Sequence, residues 1–267
     1  MRLRVVGCHG GETPKHRTSG FQLRAEATSS AAASSIFIDA GTITSGLTLE
    51  EQCAIDGVLI SHAHLDHLKD LAMLTDNRAQ AGAPPLIVAA TEPTLDLLRK
   101  HFFNGLLWPD FAKLPSPQTP TILYQTLALE RATRVAGFDV TAIAVSHSIE
   151  CSAFLVRRPG EGSLLYSGDT GPTERLWEVL ATEGHDLRAL MLEVSFPDTH
   201  AWLASVSGHH TPATLSAELA KFARIRDVPT LLYHIKPVFQ AEVERALGKL
   251  TNPGERIVLR IEDDFAL

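Results

Sequence analysis

One seven-residue run, Ser61-His62-Ala63-His64-Leu65-Asp66-His67, restricts what this chain can fold into more than any other stretch. Leu59 and Ile60 close a strand-like segment before it, and Leu68, Leu71, Ala72 and Met73 open a helical pattern after it. The polar side chains therefore fall on a strand-to-helix turn, a common seat of function in α/β folds. Imidazole nitrogen suits zinc and related borderline ions, and carboxylate oxygen suits the same ions or harder ones. Four candidate ligands within six residues crowd a single tetrahedral ion that also needs distant ligands to close its shell. Two neighbouring ions account for the density better than a chance cluster of packed or solvated histidines. The fold must then bring remote ligands to this turn.

Strand-like segments recur at Leu3–Cys8, Phe21–Glu26, Ser35–Asp39, Gly57–Ser61 and Leu86–Ala90. They continue at Tyr124–Leu129, Asp139–Val145, Ala153–Val156, Ser163–Ser167, Leu190–Val194, Leu231–His234 and Arg256–Ile261. Those before residue 60 follow one another through short turns, which predicts antiparallel pairing. Later ones alternate with helical patterns near His67–Gln80, Thr91–His101, Thr173–Thr182, Pro212–Ile225 and Gln240–Leu250. The Pro212 helix is the best specified. Thr211 can cap it, Pro212 suits its first position, and Leu215, Leu219 and Phe222 share a face. Ala27–Ser35 and the proline-rich Leu114–Thr121 read as loops rather than linkers. Two β-rich halves, each with helices, predict an α/β fold: a four-layer αββα sandwich forming one domain over residues 1–267.

Remote ligands are available. His147 follows Asp139–Val145, Asp169 follows Ser163–Ser167 in Tyr166-Ser-Gly-Asp-Thr-Gly171, and His234 ends Leu231–His234. Each is the first metal-competent residue beyond a strand, so parallel neighbours would bring them to one rim with His62 and His64. Taken singly, a strand-end histidine is more often a hydrogen-bonded structural residue, and Gly-Asp-Thr-Gly more often a turn. Joined to the cluster, all three read as ligands.

Composition narrows the partners. Acidic residues outnumber basic ones 31 to 24, a net charge of −7, which argues against a broad basic surface for nucleic acid or anionic membrane. No apolar stretch approaches a membrane span, and the N-terminus reads straight into a strand without a signal-like apolar segment. Cys8, Cys53 and Cys151 are odd in number and form no Cys-x-x-Cys, which suits a reducing, cytoplasmic setting. A homodimer is the default expectation for assembly.

The pattern His62-x-His64-x-Asp66-His67, with His147, Asp169 and His234 downstream, resembles the metallo-β-lactamase superfamily over essentially the whole chain. Within it the chain is similar to the class II cyclic-nucleotide phosphodiesterases, which also favour leucine at the position of Leu65. Gly7-Cys-His-Gly-Gly11, Phe103-Asn-Gly-Leu-Leu-Trp-Pro109, Ser167-Gly-Asp-Thr-Gly-Pro172, Leu192-Glu-Val-Ser-Phe196 and His234-Ile-Lys236 add to the likeness. One position departs. The family pattern has a small residue, usually glycine, where this chain has Asp70.

The resemblance implies that His62, His64 and His147 hold one divalent ion. Asp66, His67 and His234 would hold a second, with Asp169 bridging. Zinc is the first choice, with manganese and iron as alternatives. It implies hydrolysis of a 3′,5′-cyclic nucleotide (cyclic AMP, with cyclic GMP also open) to a nucleoside 5′-monophosphate by a hydroxide activated between the ions. Asp66 is counted with the catalytic groups as well as the ligands. Two ions outweigh the acidic ligands and leave a small positive charge, attractive to a phosphodiester on an acidic protein.

In the same comparison His209, in Gly208-His-His-Thr-Pro212, is favoured over His210 as proton donor, with Glu193 orienting it. Asp39, in Ile38-Asp-Ala-Gly41, matches a carboxylate close behind the metals, placed to bond a ligand histidine. Phe103, Trp108 and Phe111 are candidates to stack a purine, against the commoner alternative of packing. Cys151 reads as a buried structural thiol. Three rival functions share the fold logic: a tRNA 3′-processing endonuclease, a catalytically silent cyclic-nucleotide binder, and a lactam or thioester hydrolase.

Overall fold

The computed structural model describes residues 1–27 and 32–267; part of the Ala27–Ser35 loop thus lies outside the described residues. The first half forms strands β1 (Arg2–Gly7), β2 (Gly20–Ala25), β3 (Ser34–Ile38), β4 (Gly57–Leu59) and β5 (Leu86–Ala90). A two-residue hairpin, β6 (Pro115–Ser116) and β7 (Thr119–Pro120), lies within the stretch read as a loop and precedes β8 (Ile122–Thr126). The second half forms β9 (Thr133–Val135), β10 (Phe138–Ala144), β11 (Ser152–Arg158), β12 (Gly162–Tyr166), β13 (Leu187–Glu193), β14 (Thr230–Tyr233) and β15 (Arg256–Val258). A last strand, β16 (Asp264–Ala266), returns to pair with β1. The helices are α1 (Leu49–Cys53), α2 (Leu65–Leu68), α3 (Leu71–Gln80), α4 (Glu92–Leu97), α5 (Arg175–Glu183), α6 (Ala201–Ser207), α7 (Pro212–Leu219) and α8 (Gln240–Leu247).

Apart from the β6–β7 hairpin, the strands build two sheets, ordered β16-β1-β2-β3-β4-β5-β8 and β15-β14-β13-β12-β11-β10-β9. Successive side chains on a strand point to opposite faces, and here both faces are covered. Leu59, Ala89, Leu164, Tyr166, Ala189 and Met191 meet between the sheets. The alternate residues Val58 and Val88 pack outward with Leu71, Leu74 and Leu95 of the first helical layer. Leu165, Leu190 and Leu192 pack with Leu176, Leu215 and Val243 of the second. Burial on two faces explains why the central strands are almost wholly apolar, and it yields the expected αββα layering.

Several local readings are corrected. β3 and β4 pair in parallel, not antiparallel, because the connection between them crosses over through α1. That helix starts in a Thr48/Glu51 capping box. The helix expected over His67–Gln80 is two, α2 and α3, interrupted where Asp70 N–H donates to Ala40 O (2.8 Å). Thr211 and Thr214 do cap α7, but the helix stops at Leu219 instead of reaching Ile225. The strands that precede His147 and Asp169 are not neighbours: β11 lies between β10 and β12 and is antiparallel to both. β12, β13 and β14 are mutually parallel. Two reversals restore direction, so β10, β12 and β14 still end on one rim.

Candidate metal centre

That rim meets the β4–α2 turn of the other sheet, and the seven expected ligands converge there. His62, His64 and His147 bring one donor atom each within 4.8 Å of one another, as do Asp66, His67 and His234, and as do His62, His67 and Asp169. Asp169 Oδ2 lies 3.2 Å from His67 Nε2, 3.3 Å from His234 Nε2 and 3.8 Å from His62 Nε2. Asp66 Oδ2 is 3.4 Å from His234 Nε2 and 3.9 Å from His67 Nε2. Two triads therefore stand side by side with Asp169 between them.

Hydrogen bonds behind the rings decide which nitrogen faces inward. His147 Nδ1–H donates to Gly208 O (2.9 Å), and His67 Nδ1–H donates to the Asp39 carboxylate (2.7 Å). Ser61 Oγ–H donates to Asp39 (2.9 Å) and so accepts from His62 Nδ1–H (3.0 Å). Ser195 Oγ–H donates to Glu193 Oε2 (3.0 Å) and accepts from His234 Nδ1–H (2.9 Å). Each of these four imidazoles is left with an unprotonated Nε2 turned toward the centre. His64 presents Nδ1 instead, 3.1 Å from His62 Nε2 and 3.2 Å from His147 Nε2. His67 and His234 Nε2 are 3.2 Å apart. Lone pairs this close repel unless a cation sits among them.

Charge and burial agree with a metal. Burial pushes the pKa values of His62, His64, His147 and His234 down, keeping them in the neutral form that binds metal. Burial opposes protonation of His67 too, but Asp169 and Asp39 outweigh it and favour positive charge at that ring, a charge that a cation at Nε2 would supply in place of a proton. Against the cost of burial, the facing imidazoles hold Asp66 and Asp169 well below the usual carboxylate range. Asp169 Oδ1 is buried without a hydrogen-bond partner among the described residues, a costly state for a carboxylate oxygen. The donor set and this orphaned oxygen fit a pair of divalent ions.

Backbone shape serves the same end. Gly208 has φ +68°, and a Cβ there would sit 2.7 Å from His147 Cα. Asp39 and His234 adopt left-handed φ values of 58° and 69°, strain of the kind that gathers at functional sites.

The remaining expected residues divide. Asp39 is fully buried and does bond His67; Tyr166 OH donates to the same carboxylate at 2.5 Å. His209 Nδ1 lies 2.7 Å from Glu193 Oε1, and its ring stands 4.9 Å from that of His147. His210 turns away to Thr214 Oγ1 (3.1 Å). Burial pushes His209 down to about 4 and raises the Glu193 carboxyl, which also faces Asp169. Cys151 is a buried free thiol. Phe103 and Phe111 are not stacking platforms: both are buried in the core with Leu98 and Phe102. Trp108 is half-buried, its Nε1–H donating to Ala72 O (3.1 Å). Ser61, Ser195 and Tyr166 were not anticipated. Ser61 and Ser195 carry a signal in hindsight, since each lies one or two residues from a carboxylate or ligand it serves.

Asp70, the departure from the family pattern, accepts from Ile43 N (2.7 Å), Thr44 N (2.8 Å) and Thr44 Oγ1 (3.0 Å). It ties the turn at Thr44–Gly46 to the start of α3.

Comparison with known proteins agrees with this architecture. The profile of the "Beta-lactamase superfamily domain" matches residues 36–235. A "Probable 3′,5′-cyclic-nucleotide phosphodiesterase" of Yersinia pestis is 29% identical over 211 residues, covering 70% of this chain and 59% of the relative. A "3′,5′-cyclic-nucleotide phosphodiesterase" of Aliivibrio fischeri is 28% identical, covering 87% of this chain and 80% of the relative. The chain thus spans less than two thirds of the first relative's length. The crystal structure of unliganded yeast PDE1 superposes with a TM-score of 0.81 at 18% identity, over 97% of both chains. No helix among the described residues is long and apolar enough to cross a membrane.

Proposed function

This chain belongs to the β-lactamase superfamily, and we propose that it is a metal-dependent phosphodiesterase converting 3′,5′-cyclic nucleotides to nucleoside 5′-monophosphates. The observation that carries the reading is the pair of inward-facing triads sharing Asp169. His62, His64 and His147 would hold one divalent ion, Asp66, His67 and His234 another, and Asp169 both. Zinc suits this nitrogen-rich set, with manganese or iron as alternatives. Bound there, two such ions acidify water and stabilise the charge that develops on phosphorus and on the leaving oxygen.

The protein's own groups supply the rest. His67 is fixed by Asp39, His147 by Gly208 O and His234 by Ser195, so the donors are aimed before any ion arrives. His209, whose protonated form Glu193 at 2.7 Å would stabilise, is the group that returns a proton to the departing 3′-oxygen. The acidic ligands balance the ions only in part, which draws an anionic diester despite the net charge of −7. We take the chain as one catalytic unit, active in the cytoplasm with its three cysteines reduced and with a homodimer as the default assembly. Names borne by the relatives support the substrate class.

The deciding experiment is a substrate panel on purified, metal-quantified protein: cyclic AMP, cyclic GMP, 2′,3′-cyclic nucleotides, a linear diester and a tRNA precursor. Release of 5′-monophosphate from a 3′,5′-cyclic nucleotide is expected. Cleavage of the tRNA precursor alone, or binding of cyclic nucleotide without turnover, would overturn the reading.

A further inference from the structure

On the His64 side of the centre the surface dips into an aliphatic slot of about 330 Å³, at the small end of the roughly 300–1,000 Å³ range of ligand pockets. His64 itself lines it, so the slot borders the first triad. Leu65 and Leu68 come from α2, Leu97 from the end of α4, Leu107 from the following loop and Ile149 from the segment after His147. Three of these large side chains stand in water: Leu65 is 64%, Leu107 62% and Leu97 40% exposed. A cluster of exposed aliphatic groups beside a polar centre marks a surface awaiting a partner.

The local structure holds these leucines in place. The chain after α4 widens into a π-turn, with Phe103 N–H bonded to Leu98 O (2.8 Å), and this turn sets Leu98, His101 and Phe102 along one wall. Such turns are frequent at functional sites. Asn104 Oδ1 then accepts from Leu106 N (2.9 Å) and Leu107 N (2.8 Å), and Trp108 is pinned to Ala72 O. The slot is built before anything enters it, which lowers the cost of binding.

We infer that this slot receives the purine of the substrate and makes the enzyme selective for adenine over guanine. The inference rests on the phosphodiesterase reading for its substrate. A diester anchored at the two triads has its nucleoside within reach of a pocket that shares His64 with them. Alkyl walls accept the faces of either purine. The edges differ: guanine carries a carbonyl, a ring N–H and an amino group, whereas adenine carries one amino group and ring nitrogens. Among the described residues, His64 and His101 are the polar side chains on the lining. Guanine therefore turns more of its edge toward hydrocarbon, and each polar group that loses water there without a partner costs binding.

The test has two arms. Steady-state kinetics of the metal-loaded protein compare cyclic AMP with cyclic GMP, and saturation-transfer NMR compares adenosine with guanosine on protein without added metal. We expect kcat/KM for cyclic AMP about ten-fold or more above that for cyclic GMP, carried mainly by KM. The Leu97→Asn/Leu107→Asn double variant should shrink that ratio at least about five-fold and weaken saturation of the adenosine base protons. Both leucines are on the surface, and a ratio measured within one preparation does not depend on the folded fraction. Equal efficiency on the two nucleotides, or a ratio unmoved by the double variant, overturns the inference and leaves the phosphodiesterase reading standing. Adenosine bound in the slot with neither nucleotide hydrolysed upholds the slot and overturns the reading.

Discussion

Asp39 accepts a 2.7 Å hydrogen bond from His67 Nδ1 while fully buried between that candidate ligand and Tyr166. The carboxylate thereby fixes which nitrogen of His67 is free and makes that nitrogen more basic. Asp39→Asn keeps the shape and removes the charge. Metal affinity should fall about 10- to 100-fold, and chelator competition on the purified variant measures it. An unchanged affinity would show that Asp39 only braces the turn.

His209 and Glu193 make a second buried pair. His209→Gln should lower kcat by about 10²- to 10⁴-fold while both ions stay bound. Metal analysis beside the kinetics separates this from the alternative in which His209 is itself a ligand, since it also lies with His147 and Asp169. Loss of an ion together with activity would remove it from the proton-donor role.

At Gly208 the expected damage is selective. Gly208→Ala forces a Cβ against His147 in a left-handed backbone, so His147 must shift. The variant should retain fewer ions per chain than the parent, the loss falling on the triad of His62, His64 and His147. Two tightly held ions in the variant would contradict this.

His9, bridged to Ile235 beside the candidate ligand His234, adds a pH dependence. Burial pushes its pKa from 6.5 down to about 4. Between those values the unfolded chain takes up a proton that the folded chain refuses, so stability falls as pH drops from 6.5 toward 4. Urea unfolding at pH 7 and pH 4.5 should show a smaller pH difference for His9→Phe than for the parent; equal differences would place the acid sensitivity elsewhere.

Asp70→Gly introduces the residue that the family resemblance leads one to expect there but strands Ile43 N and Thr44 N. A loss of about 1–3 kcal/mol is expected, read as a lower thermal midpoint. A midpoint at or above that of the parent would mean that water serves the turn equally well.

The sequence was most legible where chemistry and periodicity coincide. Metal-competent residues at strand ends located the rim, and all seven expected ligands meet there. What stayed hidden depends on how distant segments approach. Nothing near Asp70 announces that Ile43 will lie against it, and the crossover that makes β3 and β4 parallel is visible only once α1 is recognised as a capped helix. The aromatics near residue 103 misled for a related reason. Phe103 and Trp108 bracket the loop, yet they turn inward as its anchors and leave Leu107 on the outside.

His62, His64, Asp66 and His67 hang from one sheet, whereas His147, Asp169 and His234 hang from the other. Neither half of the chain can assemble the centre by itself. Loading of the proposed ions would therefore double as an inspection of folding, because a molecule whose halves have docked askew offers only a scattered handful of weak donors. On the proposed function, activity would then be confined to copies that have closed correctly, and misassembled ones would stay inert.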